Sequence, residues 1–274
     1  MGYVFDSQEA EGLEAWYRGE AGRQTSRRQI ALLLRLLDPR PGERLLDVGC
    51  GPGWHLQAFK RIGLNVAGLD PSPAMLEMAR SRLGQAAEIH SGRAEDLPFE
   101  DGEFDIVVFI TCLEFVEDPL AALAEAARVA RSRVLVGALN RFSLTALGRR
   151  LAGLFSESVY NQARFFSLWE LSGLLRQTCG PGRQSWGSVG LLPSGLAGGL
   201  ETFESRPQAQ RTPFGAFIGL VSEIKPLWRT DRLTIKRRFK INPKPEPTAL
   251  SRRTLSLPGD RPDAGAAAGQ EARS

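Results

Sequence analysis

The chain has 274 residues, of which 42% are hydrophobic and 24% charged, an ordinary globular composition. This length suffices for one large α/β domain with attachments or for two small domains. Its three scattered cysteines argue against a disulfide framework, and without a Cys-x-x-Cys pair nothing indicates zinc, so a reducing compartment is favoured. Because neither a signal-peptide pattern nor an apolar run of about 18 residues occurs, the sequence predicts a cytoplasmic protein without a membrane span.

Positive charge is concentrated near the C-terminus. The whole chain has a net charge of +4, yet residues 225–274 hold twelve basic and five acidic side chains, which leaves −3 for residues 1–224. The basicity therefore belongs to a proline-rich tail, 225–274, which we expect to be disordered. Its segment 236–247 could contact an acidic partner, whereas nucleic-acid binding is not favoured.

Strands and helices are predicted to alternate along most of the chain. An N-terminal helical segment, 1–40, is indicated by the helical pattern of residues 8–37. Predicted strands then follow at 44–49, 65–70, 87–92, 104–110 and 133–139. Predicted helices lie between them at 54–62, 73–83 and 119–131. Such alternation, with strands apolar on both faces, predicts a parallel sheet covered by helices, with ligands at the carboxyl edge of its strands.

Residues 140–166 interrupt this alternation and are predicted to form a partly helical insert near that edge. A helix at 167–179 follows, with Ser167 as its N-cap and Glu170 three positions later. Further strands are predicted at 184–191 and 214–223. A ligand-binding domain over 41–224 is therefore expected.

The segment Leu45–Gly53, LLDVGCGPG, is the most informative part of the chain. An apolar strand ends there in three alternating glycines, Gly49, Gly51 and Gly53. Glycine adopts positive φ and lets a ligand approach the backbone without a Cβ in between, so the loop is typical of a ligand cradle. Asp70 ends the next apolar run, 21 positions after Gly49, where nucleotide-binding units carry a carboxylate for ribose hydroxyls.

Four segments in this order resemble the class I S-adenosylmethionine-dependent methyltransferases, in particular the small-molecule enzymes with a ubiquinone-biosynthesis-type domain. These segments are PGERLLDVGCGPG, GLDPSPAMLEMAR, GRAEDLPFEDGEFDIVVF and LEFVEDPLAALAEAARV, and the close resemblance covers residues 25–139. It implies a Rossmann-like, doubly wound, mostly parallel seven-stranded α/β sheet. It also implies an enzyme that transfers a methyl group from S-adenosylmethionine to a small-molecule acceptor.

The resemblance also implies a set of cofactor-binding residues at the glycine loop. The loop itself would face the methionine end of the cofactor, and the negative charge of Asp47 would offset the positive sulfonium and amino groups. The residues assigned to this part of the site are Asp47, Gly49, Cys50, Gly51 and Gly53.

A second set would hold the nucleoside part. Asp70 would accept hydrogen bonds from the ribose hydroxyls. The carboxylate of Asp96 and the backbone amide of Leu97 would read the adenine edge, with Pro71 and Met75 packed on the adenine face.

Three further contacts are implied. Ile110 would offer backbone near the transferred methyl group. Tyr17 and Arg23, which precede the first strand, would close over the methionine end.

Methyl transfer is a direct displacement that needs alignment and exclusion of water, so a dedicated base is optional. His55 and Glu114 are weak candidates for such a base, and Phe115 stands where relatives often carry histidine. The acceptor pocket is predicted to form from residues 140–166 and 187–213, whose apolar content favours an apolar acceptor.

Two alternatives stay open from the sequence. An NAD-dependent oxidoreductase also pairs glycines with a later acidic residue, but the chain lacks the G-x-G-x-x-G spacing at this loop. A degenerate methyltransferase domain could instead act as a binding or regulatory protein.

Overall fold

The computed structural model of the protein describes residues 2–143, 162–191 and 209–225. Helices and strands alternate in these residues after an N-terminal pair of helices. The helices are α1 (Ser7–Arg18), α2 (Glu20–Leu37), α3 (Trp54–Arg61), α4 (Pro73–Leu83), α5 (Pro119–Val129) and α6 (Leu168–Cys179). The strands are β1 (Arg44–Val48), β2 (Asn65–Asp70), β3 (Ala87–Ser91), β4 (Phe104–Ile110), β5 (Ala130–Leu139), β6 (Gln184–Val189) and β7 (Phe217–Glu223). Short 3₁₀ turns lie at Gly84–Ala86, Leu113–Phe115 and Ala209–Arg211.

All seven strands join one sheet in the order β3-β2-β1-β4-β5-β7-β6. Strands β1 to β5 run parallel to one another, whereas β7 runs antiparallel to both β5 and β6. The chain winds outward in both directions from β1, which pairs with β2 on one side and β4 on the other. This reversal opens a crevice at the carboxyl ends of β1 and β4, the usual ligand site of such sheets. The predicted Rossmann-like, mostly parallel seven-stranded fold is confirmed.

Helices cover both faces of the sheet. Neighbouring residues of β4 point in opposite directions, so that Val107 belongs to one apolar cluster and Val108 to the other. The first cluster includes side chains of α5 and α6, and the second includes side chains of α2, α3 and α4. Because the central strands are buried on both sides, the carboxyl edge rests on a rigid base.

The N-terminal helical stretch contains two helices, and one predicted helix end needs correction. The helical stretch 8–37 is two helices that break at Gly19, because Gly22 of α2 packs against α1 so closely that a Cβ would lie 1.9 Å from the carbonyl oxygen of Trp16. The helix predicted to reach residue 131 ends at Val129, and β5 follows at once because Ala130 pairs with Phe104 through an irregular register.

Smaller differences concern the last strands and one cap. Strand β6 ends at Val189 rather than 191, and β7 begins at Phe217 rather than 214. Ser167 caps α6 as predicted, since its side chain accepts a hydrogen bond from the Glu170 amide at 3.2 Å.

Parts of the predicted organisation lie outside the described residues. These are most of the insert 140–166, the loop 192–208 and the basic tail. All described residues belong to one unit, Met1–Trp228, and the predicted boundaries after residues 40 and 224 stay predictions. Among the helices in the described ranges, none has the length and apolar character needed to cross a membrane.

Candidate functional site

A cavity of about 340 Å³ lies at the carboxyl edge of β1, β2 and β4. The glycine loop forms one wall, and the segments that follow β2, β3 and β4 form others. Residues from the N-terminal segment and α1 complete the lining. The predicted residues that line it are Tyr17, Gly49, Cys50, Gly51, His55, Asp70, Pro71, Met75 and Ile110.

The glycine loop adopts the backbone that its sequence predicts. Gly49, Gly51 and Gly53 have φ angles of 73°, 50° and 81°. A Cβ on Gly49 would lie 2.1 Å from the Cys112 sulfur, so a side chain there would displace the segment after β4. The Gly49 amide donates to the Leu69 carbonyl at 2.7 Å, which ties the loop to β2. Gly49 is therefore required by both its backbone conformation and a close approach.

Gly53 serves the fold rather than the cavity lining. It is the N-cap of α3, and a Cβ there would lie 3.3 Å from Ala79 of α4. This glycine lets α3 begin close against α4.

Asp47 is a fully buried carboxylate beneath the loop. Neither of its oxygens has a hydrogen-bond partner among the described residues. Burial raises the pKa of Asp47 well above its usual value, and the negative charge of Asp70 raises it further. A buried carboxylate without a partner suits a cationic ligand group, which would restore the ionised form.

Asp70 faces the cavity at the end of β2. Its two oxygens accept hydrogen bonds from the backbone amides of Gly51 and Ser72, both at 2.9 Å. Burial raises the pKa of Asp70, and these two hydrogen bonds partly oppose that rise. Each carboxylate oxygen can accept more than one hydrogen bond, so Asp70 is oriented by the backbone and still able to bind hydroxyl groups.

The structure does not bring Asp96 and Leu97 to the cavity. Asp96 is exposed, and the Leu97 amide instead donates to the Glu125 carboxylate at 3.0 Å. Arg93, Ala94 and Glu95 line this wall in their place. Because β3 ends at Ser91, the chain passes the carboxyl edge at these earlier residues, and the adenine contacts assigned to Asp96 and Leu97 stay predictions.

Arg23 is also away from the cavity lining. It is exposed on α2 and pairs with Glu20 at 2.9 Å within the same helix. Tyr17 is buried, lines the cavity and stacks on Trp54 with ring centroids 5.8 Å apart. Of this predicted pair, only Tyr17 contributes to the cavity wall.

The N-terminal segment was missed as part of the site. Tyr3 and Phe5 line the cavity, and the Tyr3 amide donates to the Phe115 carbonyl at 3.0 Å. The Ser72 hydroxyl donates to the Phe5 carbonyl at 2.8 Å. The aromatic run before α1, YVF, is the sequence signal that could have indicated this segment.

Thr111 is a second residue that sequence reasoning missed. It lines the cavity with a φ angle of 50°, an unusual conformation for a β-branched residue. Its amide donates to the Gly137 carbonyl at 2.7 Å, which holds the turn after β4 in place. Such strain costs about 1–3 kcal/mol and is common at ligand sites.

The two candidate bases differ in position. His55 lines the cavity, is buried, and its Nε2 has no partner in the described ranges, while burial lowers its pKa to about 4. Glu114 is buried behind the cavity wall, where one oxygen accepts from the Leu139 amide at 2.6 Å and burial raises its pKa to about 7. The structure therefore brings His55, but not Glu114, to the cavity.

Comparison with known proteins identifies the family. Residues 46–136 match the model of a methyltransferase domain. The chain is 32% identical over 160 residues to a ubiquinone biosynthesis O-methyltransferase of Thiobacillus denitrificans, covering 53% of this chain and 69% of that protein. The chain belongs to the class I S-adenosylmethionine-dependent methyltransferases. The family resemblance in the sequence is thus confirmed.

The chain is also similar to a solved structure and to a second protein sequence. A solved structure from Thermotoga maritima, described as a possible histamine N-methyltransferase, has a TM-score of 0.63 and 26% identity, covering 80% of this chain and 97% of its own. An uncharacterised 37.1 kDa protein in a transposon of Streptomyces fradiae is 39% identical over 132 residues. This match covers 46% of the chain and spans only 38% of that relative's length.

The residues present fit S-adenosylmethionine, the cofactor of this family. The unpartnered Asp47 suits its positive charge, and the oriented Asp70 carboxylate suits a ribose diol. The positive φ angles of the glycine loop suit a close approach of the ligand to its backbone.

Proposed function

We propose that this protein transfers a methyl group from S-adenosylmethionine to a small-molecule acceptor. The observation that carries the proposal is Asp47, a fully buried carboxylate without a partner in the described residues, beneath a glycine loop at the cavity. Ionising such a buried carboxyl group costs free energy in the protein without ligand, whereas a cation bound beside it makes the ionised form favourable. When bound, S-adenosylmethionine supplies a methyl group on a positively charged sulfonium.

We assign the methionine end of the donor to the glycine loop and the nucleoside to the opposite part of the cavity. Asp47 offsets positive charge, and Asp70 accepts hydrogen bonds from ribose hydroxyls. Pro71 and Met75 pack on the adenine, which lies along the wall of Arg93, Ala94 and Glu95. The support is the order of Asp70, Pro71, Met75 and residues 93–95 around one cavity, while Asp47 is buried beneath the glycine loop and does not line it.

The contribution of the chain to catalysis is alignment and exclusion of water. The buried Tyr17 and the N-terminal segment cover the cavity, and the backbone after Ile110 borders it. Methyl transfer needs no dedicated base when the acceptor arrives in its nucleophilic form. We assign Glu114 a positioning role, because its hydrogen bond to the Leu139 amide joins the segment after β4 to the end of β5.

We propose a small and apolar acceptor. The relative from Thiobacillus denitrificans is named as an O-methyltransferase of ubiquinone biosynthesis, which supports the small-molecule class. The described start of the predicted acceptor segment carries Phe142, which is 52% exposed and lies edge-on to Trp169. The predicted cytoplasmic location and the contact of the tail with an acidic partner stay predictions.

An acceptor screen with methyl-labelled S-adenosylmethionine tests this function. Full-length protein is incubated with small molecules grouped by hydroxyl, amine, thiol and acidic carbon acceptors, and with RNA and unrelated protein as other arms. We expect label in at least one small molecule and none in the macromolecules. Binding of the donor product without any transfer would instead support a regulatory methyltransferase-like protein and contradict the proposal.

A further inference from the structure

His55 has an unusual position for a polar side chain. It is the second residue of α3, immediately after the glycine loop, and only 5% of it is exposed. It lines the cavity, and its buried Nε2 has no hydrogen-bond partner in the part of the chain that the structure describes. Buried polar atoms of folded proteins nearly always have a partner, so an unpartnered one at a cavity wall indicates a ligand group.

The orientation of the imidazole is held by its surroundings. The Tyr17 ring lies edge-on to it with centroids 5.8 Å apart, and that ring in turn stacks on Trp54. Trp54 donates its indole N–H to Glu14 at 2.9 Å and lies under the Arg82 guanidinium. His55 is therefore fixed by packing before any ligand binds, which lowers the entropy lost on binding.

The charged groups around the loop indicate whether His55 would bind the ammonium or the carboxylate of the donor. The methionine end of the donor carries an ammonium and a carboxylate. Asp47 is buried without a partner among the described residues, and Asp70 is oriented at the end of β2, so a ligand ammonium beside them would favour their ionised forms. His55 lies in the first turn of α3, where the backbone amides and the helix dipole favour an anion, and a neutral imidazole can donate through Nε2–H.

We propose that His55 binds the methionyl carboxylate of S-adenosylmethionine through Nε2. The inference rests on the proposed function, because it assumes that the methionine end lies at the glycine loop. It makes His55 a residue that determines donor specificity rather than a base. The protein then distinguishes donors with a complete amino-acid end from nucleosides that lack the carboxylate.

Binding calorimetry on the full-length protein tests the assignment with three ligands. S-adenosylhomocysteine carries the carboxylate, its decarboxylated analogue retains the amine alone, and methylthioadenosine lacks both groups. We expect His55→Leu to lower the affinity for S-adenosylhomocysteine by about 10- to 100-fold, the effect of losing a hydrogen bond to a charged group. The same variant should bind the decarboxylated analogue and methylthioadenosine with affinities within about twofold of those of the wild type. His55→Gln retains a donor and should recover part of the affinity.

The other histidine of the chain supplies the control. His90 lies on β3 outside the cavity lining, so His90→Gln should bind all three ligands as the wild type does. If His55→Leu lowered the affinities for S-adenosylhomocysteine and for its decarboxylated analogue equally, the assignment would be overturned. Failure of folded wild type to bind S-adenosylhomocysteine would overturn the proposed function as well, so the two failures are distinguishable.

A measurement on the wild type keeps the proposal falsifiable if His55 variants do not fold. Imidazole nitrogen NMR resolves the two histidines, and S-adenosylhomocysteine should shift the Nε2–H signal of His55. The decarboxylated analogue should leave that signal near its position in the free protein. Identical shifts with both ligands would contradict a carboxylate contact.

Discussion

Asp47 lowers the stability of the protein without ligand and strengthens cofactor binding in the proposed complex. Burial raises its pKa, so the stability that it contributes at low pH is lost as pH rises through the pKa of the folded state. We expect Asp47→Asn to raise the melting temperature of the free protein at pH 8. The same change should lower the affinity for S-adenosylhomocysteine by about tenfold or more, because the ammonium group of the ligand loses its counter-charge.

Thermal unfolding and calorimetry of Asp47→Asn measure these opposite effects. Asp101→Asn is the control, since that carboxylate is 82% exposed and pairs with Arg128 at the surface. It should change neither quantity appreciably. A lower melting temperature for Asp47→Asn without ligand would contradict the account of Asp47 as an uncompensated buried carboxylate.

Glu114 gives a prediction with a defined pH window. Burial raises its pKa from 4.5 to about 7, so its contribution to stability is complete below pH 4.5 and is lost as pH rises through 7. Glu114→Gln retains an oxygen for the Leu139 amide and cannot ionise. Its free energy of unfolding should match the wild type near pH 4 and exceed it by up to about 3 kcal/mol at pH 8. A difference that does not change with pH, measured by urea unfolding, would refute this assignment.

Single residues also mark the limit of sequence reasoning at this site. The positive φ angles of the glycines and the place of Asp70 at the cavity were predictable from residue type and spacing, whereas Asp47 was assigned from the family resemblance. The cavity wall of Arg93, Ala94 and Glu95 was not predictable, because Asp96 is the more suggestive residue in sequence while the end of β3 decides which residues reach the edge. The unpartnered Nε2 of His55 depends on packing between α1 and α3 and has no local signal.

A buried carboxylate, Glu14, connects helix α1 to the helices beside it. Glu14 accepts hydrogen bonds from Arg82 at 2.6 Å, from Arg18 at 2.9 Å and from the Trp54 indole at 2.9 Å. Burial alone would raise the pKa of Glu14, but these hydrogen bonds outweigh it and lower the pKa. The contact connects α1 to α3 and α4 beside the cavity.

Removal of this carboxylate should loosen the N-terminal helix. We expect Glu14→Ala to lower the free energy of unfolding by about 2 kcal/mol, since it leaves the largely buried Arg82 without its partner. Weaker binding of S-adenosylhomocysteine should accompany this loss, because Tyr17 of α1 lines the cavity. Arg18→Ala is the control, since Arg18 is 72% exposed and its removal should cost about 0.5 kcal/mol or less. Equal effects of the two changes in urea unfolding would show that the buried contacts do not hold α1.

The order of elements was largely predictable, and their contacts were not. Alternation of apolar strands with helices indicates a parallel sheet because each pattern buries a distinct face. The break at Gly19 and the abrupt start of β5 depend on tertiary contacts of Gly22 and Ala130. The role of residues 2–5 as a cavity wall likewise depends on the position of the 3₁₀ turn at Leu113–Phe115.

At the scale of the whole molecule, the described sheet and cavity are complete before the basic tail. Strand β7 ends at Glu223, and among the residues that the structure describes, those that line the cavity all precede residue 117. We therefore expect truncation after Trp228 to keep the melting temperature within about 2 °C and S-adenosylhomocysteine affinity within about twofold. Scanning calorimetry and titration compare the two proteins. Loss of donor binding in a folded truncated protein would assign the tail a part in the site.

We propose that the cavity binds S-adenosylmethionine as methyl donor, and isothermal titration of the full-length protein with S-adenosylhomocysteine tests this binding, with NADH as the competing ligand. We expect one site with a dissociation constant in the micromolar range. Asp47→Asn should weaken this binding, and Asp101→Asn should leave it unchanged. Absence of binding at micromolar concentrations by folded protein, or preferential binding of NADH, would contradict the proposal.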